Sequence, residues 1–133
     1  MKQLKILLVD DNPEFLGVAA GFLSEHPMVR IAGLADSGTE ALRIANEVSP
    51  DLVLMDLSMP TMNGLETTRR MKVQFPALRI IMVTLYEGVE LSFSAKSAGA
   101  DGFVTKSEFG EALLPMIVRL FPQHQIEPAN ECA

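Results

Sequence analysis

What most constrains this chain is an alternation: five short apolar runs are interleaved with longer stretches of helical period. Leu4–Val9, Val29–Ala35, Leu52–Met55, Leu78–Val83 and Gly102–Thr105 have the length and character of strands. The first, third and fourth are apolar almost throughout, as parallel strands covered on both faces must be. The repeated strand-helix unit therefore predicts an α/β fold, a doubly wound (βα)5 three-layer sandwich with right-handed crossovers. At 133 residues the chain holds one such unit and no second folded domain.

Punctuation supports the helices. Asn12 is placed to cap a helix whose first residue is Pro13, and Ser37 with Glu40 forms a capping box. Pro27, Pro50 and Pro76 each end a helical pattern, and Gly99 stands where a left-handed terminal residue is wanted. Phe15, Ala19, Phe22 and Leu23 share a face of the first helix; Ala41, Leu42, Ala45 and Val48 share one of the second. Two places resist. Val89, Leu91, Phe93 and Ala95 alternate with period two inside the fourth helix, and Pro115 removes a bond to the Glu111 carbonyl in the fifth. Residues 1–121 read as the folded domain and 122–133, with Pro122 and Pro128, as a tail or linker stub.

Composition narrows the function. The formal net charge of −6 argues against direct nucleic-acid binding. The longest uncharged run, Phe15–Ser24, is about half the ~20 residues of a membrane span, so no membrane role is expected. A single cysteine, Cys132, and the absence of a cleavage-site pattern after Val9 point to a cytoplasmic protein.

The chemistry-bearing residues gather at the C-terminal ends of the expected strands, where open parallel sheets bind ligands. Asp10 and Asp11 follow the first strand, Asp56 the third, Thr84 the fourth and Lys106 the fifth. If those strands lie side by side, the five groups share one crevice. Carboxylates ~5 Å apart repel by about 3 kcal/mol per pair at an effective dielectric near 20, more than one lysine offsets. Oxygen-only ligands with positions left for water and phosphate favour Mg2+. A carboxylate beside such an ion and an ammonium is placed to attack phosphorus, and Asp56 is the expected nucleophile. Taken singly, each residue has a plain structural reading: Asp10 and Asp11 as helix-start charges, Asp56 as a turn residue, Thr84 as a strand end, Lys106 as a solvated charge. Their coincidence at four strand ends favours the chemical one. His26 and His124 read as surface residues, and Met59 and Met62 as packing around Pro60.

These residues resemble the receiver domains of two-component response regulators. The likeness runs from about Leu4 to Leu120 through Ile6-Leu7-Leu8-Val9-Asp10-Asp11, Asp51-Leu52-Val53-Leu54-Met55-Asp56, Met59-Pro60-x-Met62-Asn63-Gly64, Thr84, and Gly99-Ala100-Asp101-Gly102-Phe103-Val104-x-Lys106. The resemblance implies a flavodoxin-like sheet of order 2-1-3-4-5. It implies that Asp56 accepts a phosphoryl group from a partner histidine kinase. Mg2+ would be held by Asp11, Asp56 and the Ser58 carbonyl, with Asp10 assisting. Thr84 and Lys106 would bind phosphoryl oxygens, and Thr84 and Phe103 would switch the surface of helix four, strand five and helix five. Phe103 lacks the hydroxyl of a tyrosine switch. Ser107 stands where many receivers have proline, which is similar to receivers of the NarL/LuxR type; there, DNA is reached only through an output domain that this chain lacks. A homodimer is a further partner the resemblance allows. Whether the receiver stands alone or was cut in its linker stays open. The alternatives are a degenerate receiver acting as a binding scaffold, and a haloacid-dehalogenase-like phosphatase, whose second aspartate would fall on Ser58.

Overall fold

All five expected strands form, joined by helices at every crossover. The computed structural model describes residues 3–57, 63–85 and 88–124. In chain order these are β1 (Leu4–Val9), α1 (Pro13–Ser24), β2 (Val29–Ala35), α2 (Gly38–Val48), β3 (Leu52–Asp56), α3 (Gly64–Gln74), β4 (Arg79–Thr84), α4 (Val89–Ala98), β5 (Gly102–Thr105) and α5 (Phe109–Leu120). The sheet is wholly parallel with order β2-β1-β3-β4-β5, the arrangement the resemblance implied. β3 and β4 end one residue later than expected, so Asp56 and Thr84 are the terminal strand residues themselves.

Alternate residues of each strand face opposite cores, because side chains in a strand alternate across the sheet. Leu4, Ile6, Leu8, Leu52, Leu54, Ile81, Val83 and Val104 meet α1 and α5. Leu7, Val9, Val53, Met55, Ile80 and Met82 meet α2, α3 and α4. Two buried faces explain why β1, β3 and β4 read as continuous apolar runs.

The caps form as the punctuation predicts. Asn12 Oδ1 accepts the Glu14 and Phe15 amides, Ser37 Oγ accepts the Glu40 amide, and Gly99 closes α4 at φ 108°. α5 continues through Pro115; Pro115 and Glu111 are both exposed, so water can serve the freed carbonyl while Leu113, Leu114 and Ile117 anchor the other side. α4 also forms despite its period-two pattern, burying Ala95 and leaving Phe93 exposed.

Some expectations change. His26 is buried, 7% exposed, with its ring edge-on to Phe22, and His124 is half-buried against Phe121. Their distance from the strand-end crevice suggests surface positions, but packing on the neighbouring aromatic rings draws both inward. The tail is not irregular from its start: Pro122–His124 form a 3-10 turn, with the His124 amide donating to the Phe121 carbonyl. Ser58, Met59, Pro60, Met62, Pro128 and Cys132 lie outside the described residues.

Candidate functional site

Five strands running the same way deliver their C-terminal ends to one edge. β1 ends at Val9, so Asp10 emerges there with its amide donating to the Ala35 carbonyl of β2. Asp56 closes β3 one strand over, and Thr84 closes β4, in register with Thr105 of β5. Lys106 follows at once, opening the 3-10 turn Lys106–Glu108 that leads into α5. Asp10, Asp56 and Thr84 are 2%, 5% and 1% exposed, while Asp11 stands in solvent.

One oxygen from each of Asp10, Asp11 and Asp56 lies within 4.8 Å of the other two. Lys106 Nζ sits 2.7 Å from Asp10 Oδ2 with its side chain 11% exposed, so a largely shielded ammonium pairs with one carboxylate of a cluster of three. At that separation the pairwise repulsion is about 3 kcal/mol at an effective dielectric near 20. The two oxygens of Asp10 do different work. Oδ1 accepts the Asn12 amide at 2.8 Å and shapes the turn into α1. Oδ2 is buried and takes no hydrogen bond among the described residues, leaving the lysine charge as its counterpart.

The cluster fits a small divalent cation. Its donors are all hard oxygens, their charge exceeds what Lys106 neutralises, and Asp10 Oδ2 has coordination capacity unspent. The helix-start reading belongs to Asn12, which caps α1; Asp11 makes no hydrogen bond or ion pair among the described residues. Ser58, the expected carbonyl ligand, lies outside them.

Phe103 is half-buried against the core that also includes Ala95 of α4, in register with Met82 of β4. Thr105 Oγ1 lies 3.1 Å from Ser107 Oγ and 3.2 Å from Glu108 Oε1, so the residue replacing proline helps tie the turn that carries Lys106.

Two participants had no assigned role in the sequence reading. Lys106 Nζ lies 4.5 Å from the centroid of the Phe15 ring, although Phe15 was recognisable only as an apolar helix position. Gly64 packs on the backbone of Asp56 and Leu57, so closely that a Cβ there would collide with it.

Comparison with known proteins gives one answer. The response regulator receiver domain family matches residues 6–118. Response regulator GacA of Pseudomonas aeruginosa is 33% identical over 126 residues, 94% of this chain and 59% of that protein. A protein-glutamate methylesterase/protein-glutamine glutaminase of Geobacillus kaustophilus is 42% identical over 108 residues, 80% of this chain and 31% of that one. The chain thus spans roughly a third to three-fifths of the length of these relatives. The crystal structure of a LuxR-family two-component response regulator from Aurantimonas sp. superposes with a TM-score of 0.86 at 30% identity, covering 96% of this chain and 91% of that one. Among the described residues no helix is long and apolar enough to cross a membrane.

Proposed function

The chain belongs to the response regulator receiver domain family of two-component systems, and on that premise we propose that Asp56 accepts a phosphoryl group from a partner histidine kinase. One observation supports this most: a buried carboxylate at the end of the central strand shares a 4.8 Å cluster with two others, beside an ammonium held 2.7 Å from one of them.

An Asp56 oxygen forms the new phosphorus–oxygen bond as the bond from phosphorus to the donor imidazole nitrogen breaks, the nitrogen keeping the electron pair. Lys106 and Thr84 bind the phosphoryl oxygens, and the low exposure of Asp56 and Thr84 keeps water from competing for the acyl phosphate. Mg2+ held by Asp10, Asp11, Asp56 and the Ser58 carbonyl would neutralise phosphoryl charge when bound. The chain turns over no outside substrate; it catalyses its own phosphorylation and dephosphorylation.

Output follows from Thr84 and Phe103, which join the pocket to the surface of α4, β5 and α5. α4 is suited to move, since no side chain caps it and Gly88 stands at its N-cap. The receiver unit is residues 1–121, with 122–133 as a tail. Its partner is a histidine kinase in the cytoplasm; DNA would be reached only through a separate output domain, and a homodimer is a further form.

Incubation with acetyl phosphate and Mg2+, followed by intact-mass measurement, tests the reading. Wild type should gain one phosphoryl group and Asp56→Asn none; a gain that survives Asp56→Asn rejects it, and no gain by wild type leaves the scaffold reading in its place.

A further inference from the structure

Phe15 is an ordinary apolar residue by sequence, yet it completes a closed circuit around the pocket. Asp10 Oδ1 accepts the Asn12 amide at 2.8 Å, and Asn12 Oδ1 accepts the Phe15 amide at 3.4 Å. The Phe15 ring lies under Lys106 Nζ at 4.5 Å, and Nζ returns to Asp10 Oδ2 at 2.7 Å. The lysine charge is therefore held between a carboxylate and the face of an aromatic ring. A ring face attracts an ammonium through its quadrupole, and more strongly where water is scarce, as it is around this 11% exposed side chain.

The ring is itself braced. Phe109, the first residue of α5, meets Phe15 edge-on with centroids 5.2 Å apart at 76°, and Phe22 backs Phe109 at 5.8 Å. Phe109 stands three residues after Lys106, so one short stretch of chain supplies the lysine and braces the ring on which it rests.

We propose that Phe15 is a positioning residue for phosphoryl transfer: its ring face holds the Lys106 ammonium at the height from which it meets the incoming phosphoryl oxygens. The proposal rests on Asp56 being the phosphoacceptor. Without the ring, Lys106 collapses onto the carboxylates or swings to solvent. Size and burial alone do not supply this effect, because leucine fills similar space with no quadrupole.

The test measures the rate of Asp56 phosphorylation by acetyl phosphate, in which acetate leaves phosphorus with the bonding pair as the Asp56 oxygen attaches. Phe15→Leu should slow uptake about tenfold, the size expected of a partly desolvated cation–π contact. Its Mg2+ dissociation constant should stay within about twofold of wild type, since Phe15 supplies no oxygen to the carboxylate cluster. Phe15→Tyr, which keeps the ring, should restore the rate to within about threefold. In a Lys106→Met background Phe15→Leu should add nothing, because its effect runs through the ammonium. In wild type the Lys106 ε-methylene protons should resonate upfield of an exposed lysine, a readout that needs no variant to fold. An unshifted ε-methylene signal, a Phe15→Leu rate equal to wild type, or full additivity with Lys106→Met overturns the proposal while leaving the phosphoacceptor reading intact. Failure of wild type to take up phosphate overturns that reading and this proposal with it.

Discussion

Gly64 and Asp56 are in backbone contact: a Cβ on Gly64 would strike the Asp56 carbonyl and come within 2.9 Å of Leu57 Cα. The Gly64 amide meanwhile donates to the Leu57 carbonyl at 2.9 Å. The start of α3 is thus pressed against the strand end that carries the central carboxylate. The constraint is one of space, with no left-handed backbone conformation involved.

Gly64→Ala should therefore force apart α3 and the end of β3. A cost of about 1–3 kcal/mol is expected, the range for overpacking, visible as a lower melting temperature. Because the displaced atoms belong to Asp56, phosphoryl uptake should fall as well. Alanine at Gly17 or Gly21, where a Cβ meets nothing within 4 Å on exposed positions of α1, should raise stability by a few tenths to about 1 kcal/mol and leave uptake unchanged.

Asp11→Asn should stabilise the metal-free protein, since it removes one of three mutually repelling carboxylates while Asn12 retains the helix cap. Wild type at ten times its Mg2+ dissociation constant should gain about 1.4 kcal/mol, and the variant much less. Melts in chelator should place the variant ahead, with excess Mg2+ narrowing the gap. A variant that melts lower in chelator and responds fully to Mg2+ would remove Asp11 from the metal site.

Lys106→Ala should have the opposite sign. Losing the ammonium leaves Asp10 Oδ2 buried without a counter-charge, at a cost of about 2–4 kcal/mol in chelator. Mg2+ should then recover more stability in the variant than it adds to wild type. Equal Mg2+ increments in the two proteins would show that lysine and metal do not answer the same charge.

Asp101→Asn supplies a contrast from the far edge of the sheet. The Asp101 carboxylate accepts the Ile80 amide at 2.9 Å and pairs with Lys72 and Arg79 at 3.1 Å each, tying the last turn of α3 to the N-terminal ends of β4 and β5. Asparagine keeps one acceptor and loses both charge contacts, so a fall of about 1–2 kcal/mol is expected. Thermal melts should register it while the rate of phosphoryl uptake stays unchanged.

The pattern that made the sheet legible is the same one that buries it. Side chains of β1, β3 and β4 alternate between two cores, so nearly every position had to be apolar, and the strands stood out in sequence. Parallel strands collect their C-terminal residues on one edge, so the strand-end positions of Asp10, Asp56, Thr84 and Lys106 were legible once the resemblance supplied the strand order. Phe15 and Gly64 were not legible in those terms. Each acts through a contact with residues more than five positions away, and neither a ring over an ammonium nor a missing Cβ leaves a periodic trace. His26 failed for a related reason: its burial comes from packing on Phe22 beyond the end of α1, where helical periodicity no longer reports on depth.

The sheet order divides the pocket mechanically. β1, β3 and β4 are each clamped by ladders on two sides, so the carboxylates and the Thr84 hydroxyl sit on a fixed frame. β5 is an edge of only four residues, laddered to β4 alone, and Lys106 follows directly on it. Shifting the cation therefore breaks one set of backbone bonds, where shifting an anion breaks two. This frame predicts a fixed anvil with one adjustable jaw, so that a change in bound charge finds its least resistance at the sheet's edge strand.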